Sequence, residues 1–227
     1  MEKYVEIERS IIKKFRKDIW SKFTKAISDY ELIKENDNIM VCISGGKDSF
    51  LLAKCIQELI KHGKFPFTAH YVVMDPGYNK VNRQLIEKNA KLLNVPIEIF
   101  ETNIFDVTAK VEGNPCYLCA RMRRGYLYSK AKELGCNKIA LGHHMDDVIE
   151  TAIMNLFLNG NFNTFAPVTY LSRSDVKTIR PLIYVSEKEL RATARENNYP
   201  VMQKCCPKDG FTKREYVKNL LRQLNKE

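Results

Sequence analysis

The sequence contains no long apolar run, no internal repeat and no low-complexity segment. A membrane-spanning helix needs about 20 consecutive, mostly apolar residues, and no stretch of this chain approaches that length. The first six residues include Glu2, Lys3 and Glu6, which is too much charge for the apolar core of a secretory signal. These absences argue against a membrane protein, a repeat array and a secreted protein, so we expect a cytoplasmic chain with no membrane partner.

The chain also lacks the even number of cysteines that is typical of a disulfide framework. It has seven, at positions 42, 55, 116, 119, 136, 205 and 206. An odd count without a secretory signal favours a reducing compartment, in which cysteines bind metals or remain free. Cys42, Cys55 and Cys136 fall in a predicted strand, helix and turn, where burial as small apolar side chains is the expected role.

Acidic residues are scarce relative to basic ones. The 27 aspartates and glutamates face 37 lysines and arginines, which leaves a formal charge of +10. Such an excess favours an acidic partner such as nucleic acid, although a lysine-rich source proteome would produce the same balance. The chain of 227 residues is 44% hydrophobic, enough for one large domain or for one domain with an appendage.

The chain is organised around the short stretch Ser44–Ser49, which reads Ser-Gly-Gly-Lys-Asp-Ser. Residues 38–43 before it form an apolar run of strand length, and residues 50–60 after it carry apolar side chains at helical spacing. The stretch is therefore predicted to be a strand-to-helix turn. Its glycines, Gly45 and Gly46, let the backbone bend tightly and approach a ligand closely.

A turn of this kind is suited to binding an anion. The free N–H groups of the first helical turn and the positive end of the helix dipole face it, and two serine hydroxyls add donors. The spacing differs from that of the Walker phosphate loop. Asp48 would repel phosphate unless a cation such as Mg²⁺ lay between them. The alternative is a structural Gly-Gly turn capped by Asp48 and Ser49.

Strand and helix patterns alternate along the rest of the chain. Further strands are predicted at about 67–74, 96–100, 138–142 and 179–182, and helices at about 11–30, 79–93, 116–134, 143–158, 186–197 and 213–222. Signals fade between residues 101 and 115, which is typical of a functional or mobile connection. Alternation predicts an α/β fold with a doubly wound parallel sheet.

Ligands of such sheets bind at the carboxyl ends of the strands. In this sequence those ends are the Ser44–Ser49 turn, Met74 and its following turn, and the run from Gly142 to Asp147. The predicted ligand-binding set is therefore Ser44, Gly45, Gly46, Lys47, Asp48, Ser49, Met74, Gly142 and His143. His143 has a structural alternative, because histidines in strand-end turns are often simply hydrogen-bonded.

Cys116 and Cys119 are spaced so that both thiolates can reach one metal ion or cluster. Arg121, Arg123 and Arg124 follow closely, and positive charge favours the thiolate form of a cysteine. A structural zinc ion would require four protein ligands. Cys205 and Cys206 are adjacent, so their side chains diverge and only one is expected to join the pair. Three thiolates on a four-iron cluster leave one iron open.

The Ser44–Ser49 stretch resembles the signature of the PP-loop ATP pyrophosphatases, enzymes that cut ATP between the α- and β-phosphates. Residues 116–125, 139–147 and 179–182 resemble three motifs of one branch, the tRNA 2-thiocytidine synthetases. These are iron–sulfur enzymes that thiolate a cytidine in the tRNA anticodon loop. The resemblance runs from about residue 22 to residue 214, with the motifs in the same order.

The resemblance implies ATP, Mg²⁺ and a [4Fe-4S] cluster as cofactors. It implies that Cys116, Cys119 and a late cysteine hold the cluster, whose fourth iron carries the sulfur. Asp146 and Asp147 would serve Mg²⁺-ATP and the chemistry. The late motif departs from that of the best-known members, which separate the two cysteines. We favour Cys206 because its Cys-Pro step resembles other members, and Cys205 stays open.

Arg123 and Arg124 follow Cys119 by four and five residues, about one helical turn. At least one of them can then face the cluster or the leaving phosphate, unless both only pair with surface carboxylates. With Asp48, Asp146 and Asp147 they form the predicted catalytic set. The expected reaction has two steps: a base oxygen attacks the α-phosphate of ATP, and sulfur then displaces AMP from the adenylated base.

We therefore expect residues 1–34 to form a basic helical segment, residues 35–200 the PP-loop domain, and residues 201–227 the third-cysteine motif with a basic helix. The expected partners are tRNA and a sulfur donor such as sulfide or a cysteine desulfurase, and a homodimer is left open. Other adenylating tRNA enzymes that form thiouridine or lysidine are an alternative, as is a non-catalytic RNA-binding module that holds ATP and metal.

Two basic helices are candidates for contact with RNA. The first carries Lys13, Lys14, Arg16, Lys17, Lys22 and Lys25, and the last carries Lys213, Arg214, Lys218 and Arg222. Such faces bind phosphates in nucleic-acid-binding proteins, but they are equally typical of an ordinary solvated helix. The last helix runs toward Glu227 without a stop signal, so we expect the natural chain to continue.

Overall fold

The computed structural model of the chain describes residues 2–112, 115–172, 175–198 and 212–224. A six-stranded sheet forms its centre. The strands are β1 (Asn38–Ile43), β2 (Thr68–Asp75), β3 (Ile97–Glu101), β4 (Lys138–Ala140), β5 (Val168–Leu171) and β6 (Val176–Ile179). Their order across the sheet is β3-β2-β1-β4-β6-β5.

The helices of the described residues are α1 (Lys3–Arg9), α2 (Ser21–Asp29), α3 (Lys47–His62), α4 (Lys80–Leu92), α5 (Ile104–Ala109), α6 (Pro115–Glu133), α7 (Met145–Asn159), α8 (Glu187–Glu196) and α9 (Lys213–Leu224). Most follow the predicted boundaries within a few residues. The capping box at Ser186 and Glu189 is present at the start of α8. In the described parts of the chain, no helix has the length and apolar character that a membrane crossing requires.

The sheet confirms the predicted doubly wound α/β fold. Strand β1 lies in the middle and pairs in parallel with β2 on one side and β4 on the other. The chain therefore reverses its direction of winding between β1 and β4, which opens a crevice at their carboxyl ends. Only β5 runs antiparallel, as an edge strand paired with β6. Four residues at a partly exposed edge produce little apolar signal, so this strand was not predicted.

The strand predicted at 179–182 was placed too late. Strand β6 ends at Ile179, and Arg180 then follows at the carboxyl edge of the sheet. Leu182 is fully buried, which explains why the apolar run resembled a strand. Pro181 lacks the N–H that an interior strand position needs. A second difference is α5, a short helix in the segment where secondary-structure signals fade.

The N-terminal helix, which runs from α1 through α2, begins earlier than predicted. Between α1 and α2 it contains two π-helical segments, Ser10–Lys14 and Arg16–Trp20. Its buried residues Ile7, Ile11, Ile19, Phe23 and Ile27 fall on a strict four-residue spacing, with Phe15 packed against the core between them. In an α-helix a four-residue repeat drifts around the axis, because one turn contains 3.6 residues. The wider π turns offset that drift and keep the apolar side chains on one face.

This helix packs into the main hydrophobic core together with Phe50 and Leu52 of α3. Lys54 of α3 is fully buried and donates through Nζ to Glu8 Oε1 at 2.6 Å and to the Leu93 carbonyl at 2.8 Å. A buried charge is tolerated only with such partners. The predicted boundaries at residues 34 and 200 stay a prediction, and the N-terminal helix shares its core with the sheet.

Candidate active site

The Ser44–Ser49 turn is held in shape by the hydroxyl of Ser49. That hydroxyl donates to the Gly46 carbonyl at 3.0 Å and accepts from the Ser44 N–H at 3.1 Å. The Ser44 hydroxyl lies 3.2 Å from it. Gly45 has φ +83°, a left-handed conformation that favours glycine. The turn therefore has one fixed shape, set by its own serines and glycines.

Helix α3 starts at this turn without a side-chain cap, since Gly46 occupies the N-cap position. No side chain caps its first N–H groups, and their use in binding an anion stays a prediction. Lys47 Nζ lies 2.9 Å from Asp48 Oδ1, so the acidic residue of the turn is paired with its neighbour. This pairing reduces the repulsion that the Asp48 carboxylate would exert on phosphate.

Gly142 brings the end of β4 against the same turn. A Cβ at this position would lie 3.2 Å from the Ser49 N and 3.3 Å from the carbonyl carbon of Asp48. These atoms belong to backbone and cannot rotate away. Glycine is therefore favoured where the segment after β4 approaches the first turn of α3, and the two segments together form one wall.

A cavity of about 470 Å³ opens at this wall. Its volume falls within the usual range for small-molecule sites. The lining residues come from three strand ends and from α6, and are Cys42, Ile43, Ser44, Asp48, Ser49, Val72, Met74, Tyr78, Ala120, Arg123, Arg124, Leu127, Leu141, Gly142, His143 and Asp147. Polar side chains cluster beside the turn, whereas Val72, Met74, Leu127 and Leu141 provide an apolar surface.

The structure brings most of the predicted site residues to this one cavity. The exceptions within the turn are Gly45, Gly46 and Lys47, which shape it without lining the cavity. Tyr78 and Leu127 are lining residues that the sequence reasoning missed. Tyr78 follows the predicted β2 turn by only a few residues, so the strand-end rule could have included it. Leu127 sits on α6, whose placement over the cavity depends on tertiary packing.

The two adjacent aspartates diverge. Asp147 lines the cavity, and its Oδ2 accepts from the His144 N–H at 3.0 Å. Asp146 instead accepts from the Glu187 N–H at 2.7 Å, at the start of α8. Neighbouring residues on a helix point about 100° apart. Of the pair predicted to act together, Asp147 therefore faces the cavity and Asp146 faces the start of α8.

His143 is a largely buried imidazole at the cavity wall. Burial is the main reason that its pKa is lowered to about 4; the charges of Arg180, Arg214 and His144 act in the same direction, and Asp147 opposes them. The ring is therefore neutral at pH 7. Its centroid lies 5.0 Å from that of Phe165.

The cysteine pair stands at the start of α6. Cys116 is exposed and Cys119 is partly buried, three residues apart on one helical face. Arg123 Nε donates to the Cys119 sulfur at 3.4 Å, while Arg123 and Arg124 both reach the cavity lining. Arg121, on the same helix, is exposed and is not among the lining residues.

Cys205 and Cys206 lie outside the described residues, and with them the predicted third ligand. Among the described residues, no three metal-binding side chains gather into one group. Of the remaining described cysteines, Cys55 and Cys136 are buried as expected, whereas Cys42 is partly buried and lines the cavity. Burial raises the pKa of Cys42 to about 12 and that of Cys136 to about 11, and it raises the pKa of Cys55 as well. Protonated thiols of this kind are poor metal ligands.

Two of the cations predicted to share an RNA-binding face on α9 point inward instead. Arg214 donates to Glu150 Oε2 at 3.2 Å and to the Thr151 hydroxyl at 2.9 Å. Lys218 donates to Glu187 Oε1 at 2.8 Å, and together with the neighbouring Arg191 it lowers the pKa of that carboxyl to about 2 against the opposing effect of burial. These side chains fasten α9 to α7 and α8, and contact of the last helix with RNA phosphates stays a prediction.

Comparison with known proteins gives the family. The PP-loop domain model matches residues 15–227. The chain is similar to the tRNA-cytidine(32) 2-sulfurtransferase of Geobacter metallireducens, at 36% identity over 221 residues, which cover 95% of this chain and 85% of that protein. The protein of the same name from Citrifermentans bemidjiense is 35% identical over 208 residues, with 89% and 82% coverage.

Solved structures agree on the fold. The U34-tRNA thiolase NcsA from Methanococcus maripaludis, solved with its [4Fe-4S] cluster, superposes with a TM-score of 0.72 at 23% identity, over 91% of this chain and 72% of that one. The NH₃-dependent NAD synthetase from Campylobacter jejuni has a TM-score of 0.51 at 15% identity, over 99% and 85%. Identities this low support a shared architecture alone.

The glycine-rich turn, the cavity and the cysteine–arginine helix thus occur in a chain that is more than one third identical to curated sulfurtransferases over most of its length. The chain belongs to the PP-loop family and, within it, to the tRNA-cytidine(32) 2-sulfurtransferases.

Proposed function

We propose that the chain activates a cytidine of tRNA with ATP, releasing pyrophosphate, and then replaces the activated oxygen with sulfur, releasing AMP. The observation that carries this proposal is a single cavity that the Ser44–Ser49 turn (the phosphate turn) shares with α6 (the cysteine helix). Ser44 and Ser49 stand on one side of it, and Arg123, which contacts Cys119, stands on the other. The names of the relatives supply the substrate class.

ATP would bind with its phosphates at the Ser44–Ser49 turn. The first N–H groups of α3 and the two serine hydroxyls hold the pyrophosphate as it leaves. The apolar surface around Val72, Met74 and Leu141 suits the adenine ring. Mg²⁺ takes oxygen ligands, and the carboxylates of Asp48 and Asp147, the acidic groups of the cavity lining, would hold such an ion.

The donor set at α6 fits part of an iron–sulfur site. Cys116 and Cys119 lie on one face at a helix start and have access to solvent. They would hold a [4Fe-4S] cluster with a third cysteine, for which we propose Cys206 and keep Cys205 as the alternative. The cluster would supply an iron site for the sulfur that replaces the activated oxygen. The U34-tRNA thiolase of Methanococcus maripaludis, which shares the fold, was solved with its [4Fe-4S] cluster, and this supports the assignment.

The reaction assigns distinct tasks to the cavity residues. The C2 oxygen of the base attacks the α-phosphate, and the bond to the β-phosphate breaks. The phosphate turn stabilises the departing pyrophosphate, and Arg123 and Arg124 stabilise charge that develops on the α-phosphate. A sulfur nucleophile then attacks C2, and the C2–O bond breaks as AMP leaves. Adenylation is needed because an unactivated carbonyl oxygen is a very poor leaving group.

The partners follow from this chemistry. Transfer-RNA would approach the cavity mouth, and inorganic sulfide or a cysteine desulfurase would supply sulfur. The positive charge of the chain favours the nucleic-acid partner. A homodimer stays a prediction.

The direct test uses purified, anaerobically reconstituted protein with tRNA, Mg²⁺-ATP and sulfide. We expect 2-thiocytidine in the digested tRNA, with AMP and pyrophosphate released in equal amounts. The tRNA of a deletion strain, analysed by nucleoside mass spectrometry, should lack the same nucleoside. Release of ADP and phosphate instead, or a deletion strain with unchanged tRNA nucleosides, would contradict the proposal.

A further inference from the structure

The run from Ile179 to Leu182 resembles a family motif, yet the proposed reaction uses none of its residues. Arg180 within it is a charged side chain that the fold buries, with 8% of its surface exposed. Its Nη1 donates to the Ala166 carbonyl at 2.6 Å and to the Thr169 hydroxyl at 3.1 Å. Its Nε is buried and has no acceptor among the described residues.

No carboxylate of the described residues forms an ion pair with Arg180, so its charge is compensated only by neutral groups. A buried cation without a counter-ion reduces the stability of a fold. The arrangement therefore suggests a task other than stability. What the guanidinium does contact is an aromatic ring, since its central carbon lies 4.8 Å from the ring centroid of Phe165.

Phe165 connects Arg180 to the cavity. Its ring also lies against that of His143, with ring centroids 5.0 Å apart and planes tilted by 37°. The loop that carries Phe165 is held by the Thr164 hydroxyl, which donates to the Val148 carbonyl at 3.1 Å. The Arg180 N–H also donates to the Pro167 carbonyl at 3.0 Å. Guanidinium, phenyl ring and imidazole thus form a continuous series of contacts that ends at the cavity wall.

One ring nitrogen of His143, Nδ1, is buried and has no partner among the described residues. A neutral imidazole carries a single N–H, so the ring can keep the buried Nδ1 unprotonated and carry its N–H on Nε2. The charged or titratable groups that face the ring are Asp147 on α7, Arg180 after β6, Arg214 on α9 and the adjacent His144. The cations among them oppose protonation of the ring and Asp147 favours it, as described above.

We propose that Arg180 is a positioning residue: through the ring of Phe165 it holds a neutral His143 at the cavity wall, where the Nε2 N–H donates to a phosphate oxygen of ATP. Gly142, the preceding residue, abuts the phosphate turn, so His143 stands beside the expected phosphates. The identity of the substrate group rests on the proposed function, whereas the positioning of the ring does not.

The first experiment requires no activity. The titration of His143 is followed by NMR in protein labelled at its four histidines, with the resonance assigned from the H143Q variant. In the wild type the midpoint is expected near pH 4. Both R180Q and F165L should move it toward the ordinary value of 6.5, because the first removes a positive charge and the second removes the packing that buries the ring.

Two further variants separate charge from stacking. R180K keeps the positive charge but loses the planar guanidinium, so its midpoint should lie between those of the wild type and R180Q. K177Q removes an exposed charge from the same strand and should leave the midpoint unchanged. A midpoint that stays at the wild-type value in both R180Q and F165L would overturn the proposal.

The second experiment tests the phosphate contact. R180Q should lower kcat for tRNA-dependent pyrophosphate release by roughly 10- to 100-fold, because a misplaced contact costs up to that factor. The KM for ATP and the iron content should change little. If the wild type releases no pyrophosphate, the proposed function fails and the NMR result still decides the positioning. If R180Q shifts the titration but releases pyrophosphate at the wild-type rate, the phosphate contact is refuted.

Discussion

Two helix starts serve the cavity, and they are built differently. The start of α3 is enclosed by its own chain, with Ser49 bonded across the turn and Gly142 packed against its backbone. The start of α6 is open, with Cys116 exposed and one described contact to the Cys119 sulfur, from Arg123. The start of α3 is thus preorganised by the fold, whereas the start of α6 presents two accessible thiols, which we propose as cluster ligands.

The largest effect is expected on the open side. Cys116→Ser or Cys119→Ser should remove bound iron and reduce thiolation by more than about 100-fold, since even residues behind a ligand contribute 10- to 100-fold. Because the pair contributes little packing, thermal unfolding of the iron-free protein should not change. Iron analysis, nucleoside mass spectrometry and calorimetry measure the three quantities.

The matched control for this experiment is Cys136→Ser. This cysteine is buried in the smaller core cluster, so its replacement should lower stability but leave the iron content intact. If Cys136→Ser loses iron while Cys116→Ser keeps it, the assignment of the cysteine helix is wrong.

Arg123 joins the two sides, and its removal tests whether they work together. Arg123→Ala should keep the iron and lose roughly 100- to 1,000-fold in kcat for thiolation, the usual loss when a donor to developing charge is deleted. Arg121→Ala, on the same helix with an exposed side chain, is the control and should stay near wild type. Equal losses in both variants would mean that the overall positive charge of α6 is important and that the contact of Arg123 with Cys119 is not.

A smaller effect should arise on the enclosed side from a single methyl group. Gly142→Ala places a Cβ 3.2 Å from the Ser49 N, which forces the turn or the strand end to shift. We expect kcat/KM for ATP to fall by about 10- to 100-fold, equivalent to the 1–3 kcal/mol typical of overpacking. Iron content should be unaffected.

Gly125→Ala is the counterpart on the cysteine helix. Nothing lies within 4 Å of the added Cβ there, so the change should stabilise α6 by up to about 1 kcal/mol and leave kcat/KM unchanged. The comparison between the two sides is refuted if the two glycine variants behave alike.

The smallest expected effect is the pH dependence of folding stability that His143, next to Gly142 on the enclosed side, contributes. The pKa of His143 is lowered in the folded state, so the unfolded chain takes up a proton first as the pH falls below 6.5. The stabilising contribution of the neutral ring is present above pH 6.5 and is lost progressively toward pH 4. At pH 5.5 the loss should be about 1.4 kcal/mol, one pH unit below the ordinary value.

Urea unfolding of the wild type and of His143→Gln at pH 7.5 and 5.5 measures this difference. The variant should show a smaller decline, and the excess decline of the wild type is the His143 contribution. An identical decline in both proteins would show that the ring is accessible to protons in the folded state.

Local patterns were sufficient to predict the strand-to-helix turn and the central strands, because an apolar run, two glycines and a helical repeat adjoin in the chain. They could not predict that Asp146 turns toward α8 while Asp147 faces the cavity, since that depends on where α8 packs. For the same reason, the basic pattern of α9 did not reveal that Arg214 meets Glu150.

The N-terminal helix shows a limit of another kind. A four-residue spacing was visible in the sequence, but the π turns that accommodate it were not, because the α-helix is the default geometry for any helical repeat. The last strand was predicted too late because an apolar, buried residue such as Leu182 is equally compatible with a strand and with the turn that follows β6.

The ion pairs of Arg214 affect the reach of Cys206, which we propose as the third cluster ligand. Cys206 precedes Lys213 by seven residues, so even a fully extended chain keeps it within about 25 Å of the start of α9. Arg214 fastens that point to α7 at Glu150 and Thr151. A group tethered within such a radius has an effective concentration in the millimolar range. With Cys206 as the third ligand that we propose, the anchoring by Arg214 would set how strongly the chain's own thiol competes with thiols in solution.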